Sequence, residues 1–169
     1  YATCLTRIGM PGPPPLPEIA LPDAVRHRAA RTLETHGVPP DEPFAVLHAL
    51  AGKEYRRWPL ERFARTADAL ADTYGLRIVL VGVPSERSEL ERLRTRMSRG
   101  DRTVILTESL QTTMGILDRA QLLVSNLSGP THLAALATDV PVVTIIGPTA
   151  KERWGPLRDH GVVCLQGPF

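Results

Sequence analysis

Six short apolar runs recur from Phe44 onward: FAVLHAL (44–50), RIVLVGV (77–83), RTVILT (102–107), QLLVSN (121–126), PVVTIIG (141–147) and VVCLQ (162–166). Each is short for a helix and rich in β-branched residues, so each reads as a strand. Helical segments separate the first five. Strands that are apolar without alternation must be covered on both faces, which means a parallel sheet between helical layers. Right-handed crossovers then predict an α/β fold: a Rossmann-like, doubly wound parallel sheet in a three-layer α/β/α sandwich.

The helical segments support this reading. In WPLERFARTADALADTYG, residues Leu60, Phe63, Ala64, Ala67, Leu70, Ala71 and Tyr74 share one face, with Pro59 suited to the first turn and Gly75 to the C-terminal cap. Ser85–Ser98 is strongly charged, with Leu90, Leu93 and Met97 as a narrow apolar stripe. Asp23–His36, Ser109–Arg119 and Gly129–Thr138 complete the set, the first ended by Gly37 and Pro39–Pro40. Ahead of them, residues 9–22 hold six prolines and should be extended. Residues 1–22 read as a linker and the remnant of a preceding domain, and residues 23–169 as the Rossmann-like domain.

Twenty basic and 18 acidic residues nearly cancel, leaving a net charge of +2. That balance argues against a nucleic-acid partner, which calls for a concentrated basic face. Cys4 and Cys164 stand alone, without C-x-x-C spacing or nearby histidines, so neither a disulfide framework nor a zinc site is expected and a reducing compartment is the default. No run approaches the length of a membrane span.

In an open α/β sheet, ligands sit beyond the carboxyl ends of the strands. The loops to examine are therefore His48–Tyr55, Gly82–Glu86, Thr107–Ser109, Ser125–His132 and Gly147–Arg153. The fourth, SNLSGPTHLAAL, places hydroxyls, a glycine, a proline and a histidine at the end of an apolar strand. A helix start presents unpaired N–H groups and the positive end of its dipole. Gly129 permits close approach, Pro130 fits the first turn, and Ser128, Thr131 and His132 add side-chain donors. This is the pattern of a phosphate-binding helix start, and equally that of an ordinary N-cap. No G-x-G-x-x-G follows the first strand, no G-x-x-x-x-G-K-[ST] occurs, and no paired acidic motif marks a metal site.

RRWPLERFARTADALADTYGLRIVLVG followed by SNLSGPTHLAALATDVPVVTIIGPT resembles the C-terminal half of the family 9 glycosyltransferases, the lipopolysaccharide heptosyltransferases and their relatives. The resemblance spans about residues 40–158. It implies one half of a GT-B architecture, in which the C-terminal domain binds a nucleotide-activated sugar, typically ADP-heptose, and an N-terminal domain holds the acceptor and the acidic general base. Transfer in the family inverts the anomeric centre without a metal-binding D-x-D. No cofactor beyond the donor is implied, the acceptor would be a glycan or lipid-linked glycan, and the protein would be cytoplasmic, with at most peripheral association at the inner membrane face.

Carried over by position, the family's basic residue before Arg-Trp-Pro falls at Arg56, which would contact the donor phosphates. Glu86 would hold ribose hydroxyls, and Glu108 would line the base pocket. Ser128, Gly129 and His132 match the loop that grips the pyrophosphate and sugar. The family's acid in that loop is Leu127 here, and its His-Pro-Gly-Ala reads His48-Ala49-Leu50-Ala51. These departures keep a second reading open, a catalytically degenerate domain that binds a nucleotide or a protein. A sugar-nucleotide epimerase is a third. As a transferase, the chain would supply the donor half and by itself be inactive.

Overall fold

The computed structural model describes residues 19–148, 150–158 and 160–167, together with Arg7 and Gly9. Most of the proline-rich lead-in, and Cys4, lie outside the described residues.

Helix α1 (Asp23–Thr35) precedes β1 (Phe44–His48), α2 (Leu60–Tyr74), β2 (Arg77–Val81), α3 (Arg87–Arg94) and β3 (Thr103–Leu106). Then follow α4 (Leu110–Arg119), β4 (Leu122–Asn126), α5 (Gly129–Ala137), β5 (Val142–Ile146), α6 (Lys151–Trp154) and β6 (Val162–Gln166). The strands form one six-stranded sheet in the order β3-β2-β1-β4-β5-β6, every pair parallel. This is the α/β, Rossmann-like fold that the apolar runs predict.

Strand alternation divides the core. Ala45, Leu47, Ile78, Leu80 and Val124 face α2 and α3, where Phe63, Leu90 and Leu93 are fully buried. Val46, Val79, Leu123 and Val142 face the other layer, against Ala29, Ile116, Leu117 and Ala134 of α1, α4 and α5. Helices α1 and α4 touch closely: a Cβ on Gly115 would lie 2.8 Å from both the Ala29 methyl and the Val25 carbonyl oxygen.

Gly75 ends α2 in the left-handed region, at φ 67°, as its position in the sequence implies. Three details differ from expectation. Tyr74, assigned to the apolar face of α2, is 70% exposed as the last residue of that helix. The charged segment 85–98 begins as a 3-10 turn at Pro84–Glu86 and stays α-helical only to Arg94, although Met97 is still buried. The short α6 was not foreseen.

Strand β1 lies between β2 and β4, so the chain's direction of winding reverses between β1 and β4. Ligand crevices open at such a switch point. Here β1 and β4 end level with one another, His48 opposite Ser125.

Candidate functional site at the switch between β1 and β4

The polar residues at the end of β4 mostly face inward. Ser125, Asn126 and Thr131 are fully buried. The Thr131 hydroxyl donates to the Asn126 carbonyl at 3.0 Å and contacts the hydroxyls of Ser125 at 2.9 Å and Ser128 at 3.1 Å. Ser128 Oγ also meets His48 Nδ1 at 3.3 Å. This corrects the expectation for Thr131: its side chain is spent inside the loop and offers a ligand nothing.

The backbone of α5 is arranged the other way. Ser128 takes the N-cap position in an extended conformation but makes no capping hydrogen bond. Among the described residues, the amides of Ser128, Gly129 and Thr131 have no protein acceptor, and the first backbone bond of the helix runs from His132 N to Ser128 O. Gly129 is exposed, with no atom within 4 Å of where a Cβ would sit. The amides of Ser128 and Gly129 are therefore within reach of an anion, whereas that of the fully buried Thr131 is not.

Asn126 ties the loop after β1 to this point. Its Oδ1 accepts from the Trp58 amide at 2.9 Å and its Nδ2 donates to the Ala49 carbonyl. One buried side chain thus holds both ends of the 50–57 loop beside the start of α5. Trp58 packs edge-on against Phe63, ring centroids 5.1 Å apart, which makes it the anchor of that loop. Arg57 is committed to the protein, donating to the Ala51 carbonyl and pairing with Glu89 at 2.8 Å. Arg56 is not. Its guanidinium lies 5.5 Å from the centroid of the Tyr55 ring, and its Nε is buried without any hydrogen-bond partner. Buried donors in native proteins are nearly always paired, so this one is a candidate for a ligand's oxygen.

His48, Gly82, Glu108 and Pro130 line a cavity of about 70 Å³ against the first turn of α5. Burial pushes the His48 imidazole below its ordinary value, opposed by the carboxylate of Glu86 and by the residue's own backbone carbonyl. Glu86 is half-occupied: its Oε2 accepts from the Val83 amide at 2.9 Å and closes the turn after β2. Gly82 makes room for it, since a Cβ there would lie 2.8 Å from that oxygen. His132, the fourth residue of α5, is also pushed below its ordinary value by burial. A wider concavity of about 680 Å³ runs along α2 from Trp58 to Tyr74, on a helix flank and not among the loops that follow the strands.

The structure therefore places Glu108 on one cavity with His48 and Pro130, Ser128 and Gly129 at the start of α5, and Glu86 within electrostatic reach of His48, with the Arg56 loop tethered alongside. The His132 side chain lies in α5 with no hydrogen bond to the others among the described residues. Sequence reasoning missed Asn126, whose one signal was an amide at the end of an apolar strand. Among the described residues, no group of three or more His, Cys, Asp or Glu could hold a metal ion, and no helix is long and apolar enough to cross a membrane.

The family model of glycosyltransferase family 9 (heptosyltransferase) matches residues 2–168. The chain belongs to glycosyltransferase family 9. Among solved structures, the family 9 glycosyltransferase of Veillonella parvula DSM 2008 superposes with a TM-score of 0.82 at 24% identity, over 98% of this chain and 47% of that one. The E. coli ADP-heptose lps heptosyltransferase II gives 0.79 at 21%, over 92% and 47%. E. coli heptosyltransferase WaaC with ADP gives 0.69 at 26%, over 97% and 48%. The chain spans about half the length of these proteins. A search of curated proteins returned no match.

Proposed function

We propose that this chain is the donor-binding, C-terminal domain of an inverting GT-B glycosyltransferase that transfers a sugar from a nucleoside-diphosphate sugar to a glycan or lipid-linked acceptor. The observation that carries the reading is the uncapped start of α5, where the reachable amides of Ser128 and Gly129 have no acceptor among the described residues. The unpartnered Nε of Arg56, in a loop tethered to the same point by Asn126, supports it.

Departure of a nucleoside diphosphate builds negative charge on its β-phosphate. Amide donors fixed beforehand by the fold meet that charge without reorganising, which lowers the barrier. Arg56 adds a permanent positive charge with a forked donor geometry suited to phosphate oxygens. His132 adds an imidazole N–H. Glu108 lines the small cavity beside His48 and Glu86 stands within electrostatic reach of the same histidine; a ribose and base, too large for that cavity, would lie across its mouth with these carboxylates to hold hydroxyls. ADP-heptose is the donor suggested by the heptosyltransferases that the chain resembles, one of which was solved with ADP and another with ADP-2-deoxy-2-fluoro heptose. The general base would come from an N-terminal domain, so this chain alone binds donor weakly and transfers nothing. On this reading the enzyme works in the cytoplasm, at the inner membrane face when its acceptor is lipid-linked.

Calorimetric titration with ADP-, UDP- and GDP-sugars tests the proposal. Saturable binding, weakened about tenfold or more by Arg56→Ala and by His132→Ala, is the expected result. No binding to any of them would favour the degenerate domain, for which Leu127, apolar where the family carries an acid, is the specific argument.

A further inference from the structure

Arg56 and Arg57 are neighbours in one loop and are held in different ways. Arg57 gives its nitrogens away, Nε to the Ala51 carbonyl at 2.7 Å and Nη1 to Glu89 at 2.8 Å. Nothing of the kind holds Arg56. None of its side-chain nitrogens has a hydrogen bond or ion pair among the described residues, and Nε alone is closed off from solvent. What it does meet is the ring of Tyr55, the guanidinium carbon standing over the face at 5.5 Å from the centroid. Both residues belong to the 3-10 turn Glu54–Arg56, whose backbone is fixed by Arg56 N to Lys53 O at 3.0 Å and Arg57 N to Glu54 O at 2.8 Å.

A guanidinium can be fixed in two ways. Hydrogen bonds to protein oxygens consume its N–H groups, and a carboxylate also neutralises its charge, as Glu89 does for Arg57. An aromatic face attracts the cation through the ring quadrupole and uses none of its donors. We propose that Tyr55 is a positioning residue that holds Arg56 by its ring face and so leaves the arginine's charge and outer N–H groups unspent. The inference rests on the reading of Arg56 as a phosphate ligand. It gives Tyr55 no contact with the donor, because the ring acts through the arginine. The phenolic hydroxyl, which has no hydrogen bond among the described residues, takes no part. Tyr55 is 60% exposed and belongs to neither core cluster, so the chain folds without its ring.

The full chain is titrated calorimetrically with ADP and with inorganic pyrophosphate, and urea unfolding checks that each variant is folded. Tyr55→Leu keeps apolar bulk and removes the ring face, so both affinities should fall about two- to fivefold, the range of an exposed cation–π contact. Tyr55→Phe keeps the face and should retain the wild-type affinity. In an Arg56→Ala background, Tyr55→Leu should cost nothing further. A Tyr55→Leu loss that persists without the arginine means that the ring touches the ligand itself. That result overturns the proposal, as does an unchanged affinity in Tyr55→Leu or an equal loss in Tyr55→Phe. If the wild-type chain binds neither probe, the phosphate reading of Arg56 fails, and Tyr55 is judged in the free protein by the Arg56 Nε–Hε resonance. An upfield ring-current displacement present in wild type and Tyr55→Phe and abolished in Tyr55→Leu supports the ring contact, and a resonance that does not move in Tyr55→Leu overturns it.

Discussion

Replacing Asn126 by Asp changes one NH₂ to an oxygen in a side chain with no solvent exposure. Oδ1 can still accept from the Trp58 amide, but the other oxygen now faces the Ala49 carbonyl, which offers no proton. The folded variant has two options. It can bury an uncompensated carboxylate, which costs about 3–5 kcal/mol. Or it can keep the carboxyl protonated, so that its O–H replaces the lost N–H, and holding that proton at pH 7 against an ordinary value of about 3.9 costs about 4 kcal/mol. The two routes converge, so Asn126→Asp should lose about 3–4 kcal/mol at pH 7. Its folded-state pKa is raised above the unfolded value, so its stability relative to wild type is intact below about pH 3.9 and is lost as the pH rises. At pH 4.5 the deficit should shrink to about 1 kcal/mol by the same arithmetic. Urea unfolding followed by tryptophan fluorescence at the two pH values measures both numbers. A deficit under about 1 kcal/mol at pH 7, or one equal at both values, would refute the view that Asn126 is a buried clamp on the Arg56 loop.

Gly115→Ala should destabilise by about 1–3 kcal/mol despite alanine's higher helix propensity, because its methyl meets the Val25 carbonyl of α1, which cannot step aside; thermal unfolding should fall by about 2–4 °C per kcal/mol. Arg158 donates to the carbonyls of Thr138, Val140, His160 and Gly161 around the entry to β5 and β6, so Arg158→Lys, with fewer and unforked donors, should cost about 1–3 kcal/mol in chemical denaturation. His48 and His132 both sit below their ordinary value of 6.5 through burial. The unfolded chain therefore binds their protons more readily, and stability should be full above about pH 6.5 and decline as the pH falls below it, Glu86 softening the effect at His48. A pH series of urea midpoints in which His48→Leu and His132→Leu each flatten the slope checks this, and a slope unchanged by either variant would count against it.

The sequence by itself settled the strands, most of the helices and the order in which they alternate. Short unbroken apolar runs, the 3.6-residue period, the glycine that stops α2 and the proline that opens α5 are local properties of the chain, written within a turn or two of where they act. Alternation of β and α also dictated a parallel sheet, because no other arrangement covers strands that are apolar on both faces. The loop SNLSGPTHLAAL could likewise be marked as the place for an anion, since a glycine and proline at a helix start are visible in one dimension. Which of its polar groups would meet that anion was not visible. Ser128, Thr131 and Asn126 look alike as donors in a string of letters. The directions of Ser128 and Asn126 depend on His48 and Ala49, which lie some 80 residues away and become neighbours only when β1 and β4 pair in register. Tertiary structure decided that Asn126 clamps the arginine loop, and that Arg57 is spent on Glu89 while Arg56 keeps an unpaired nitrogen. The physical reason is that a hydrogen bond is chosen by proximity and by who still has a proton to give, and neither is defined until distant strands have met.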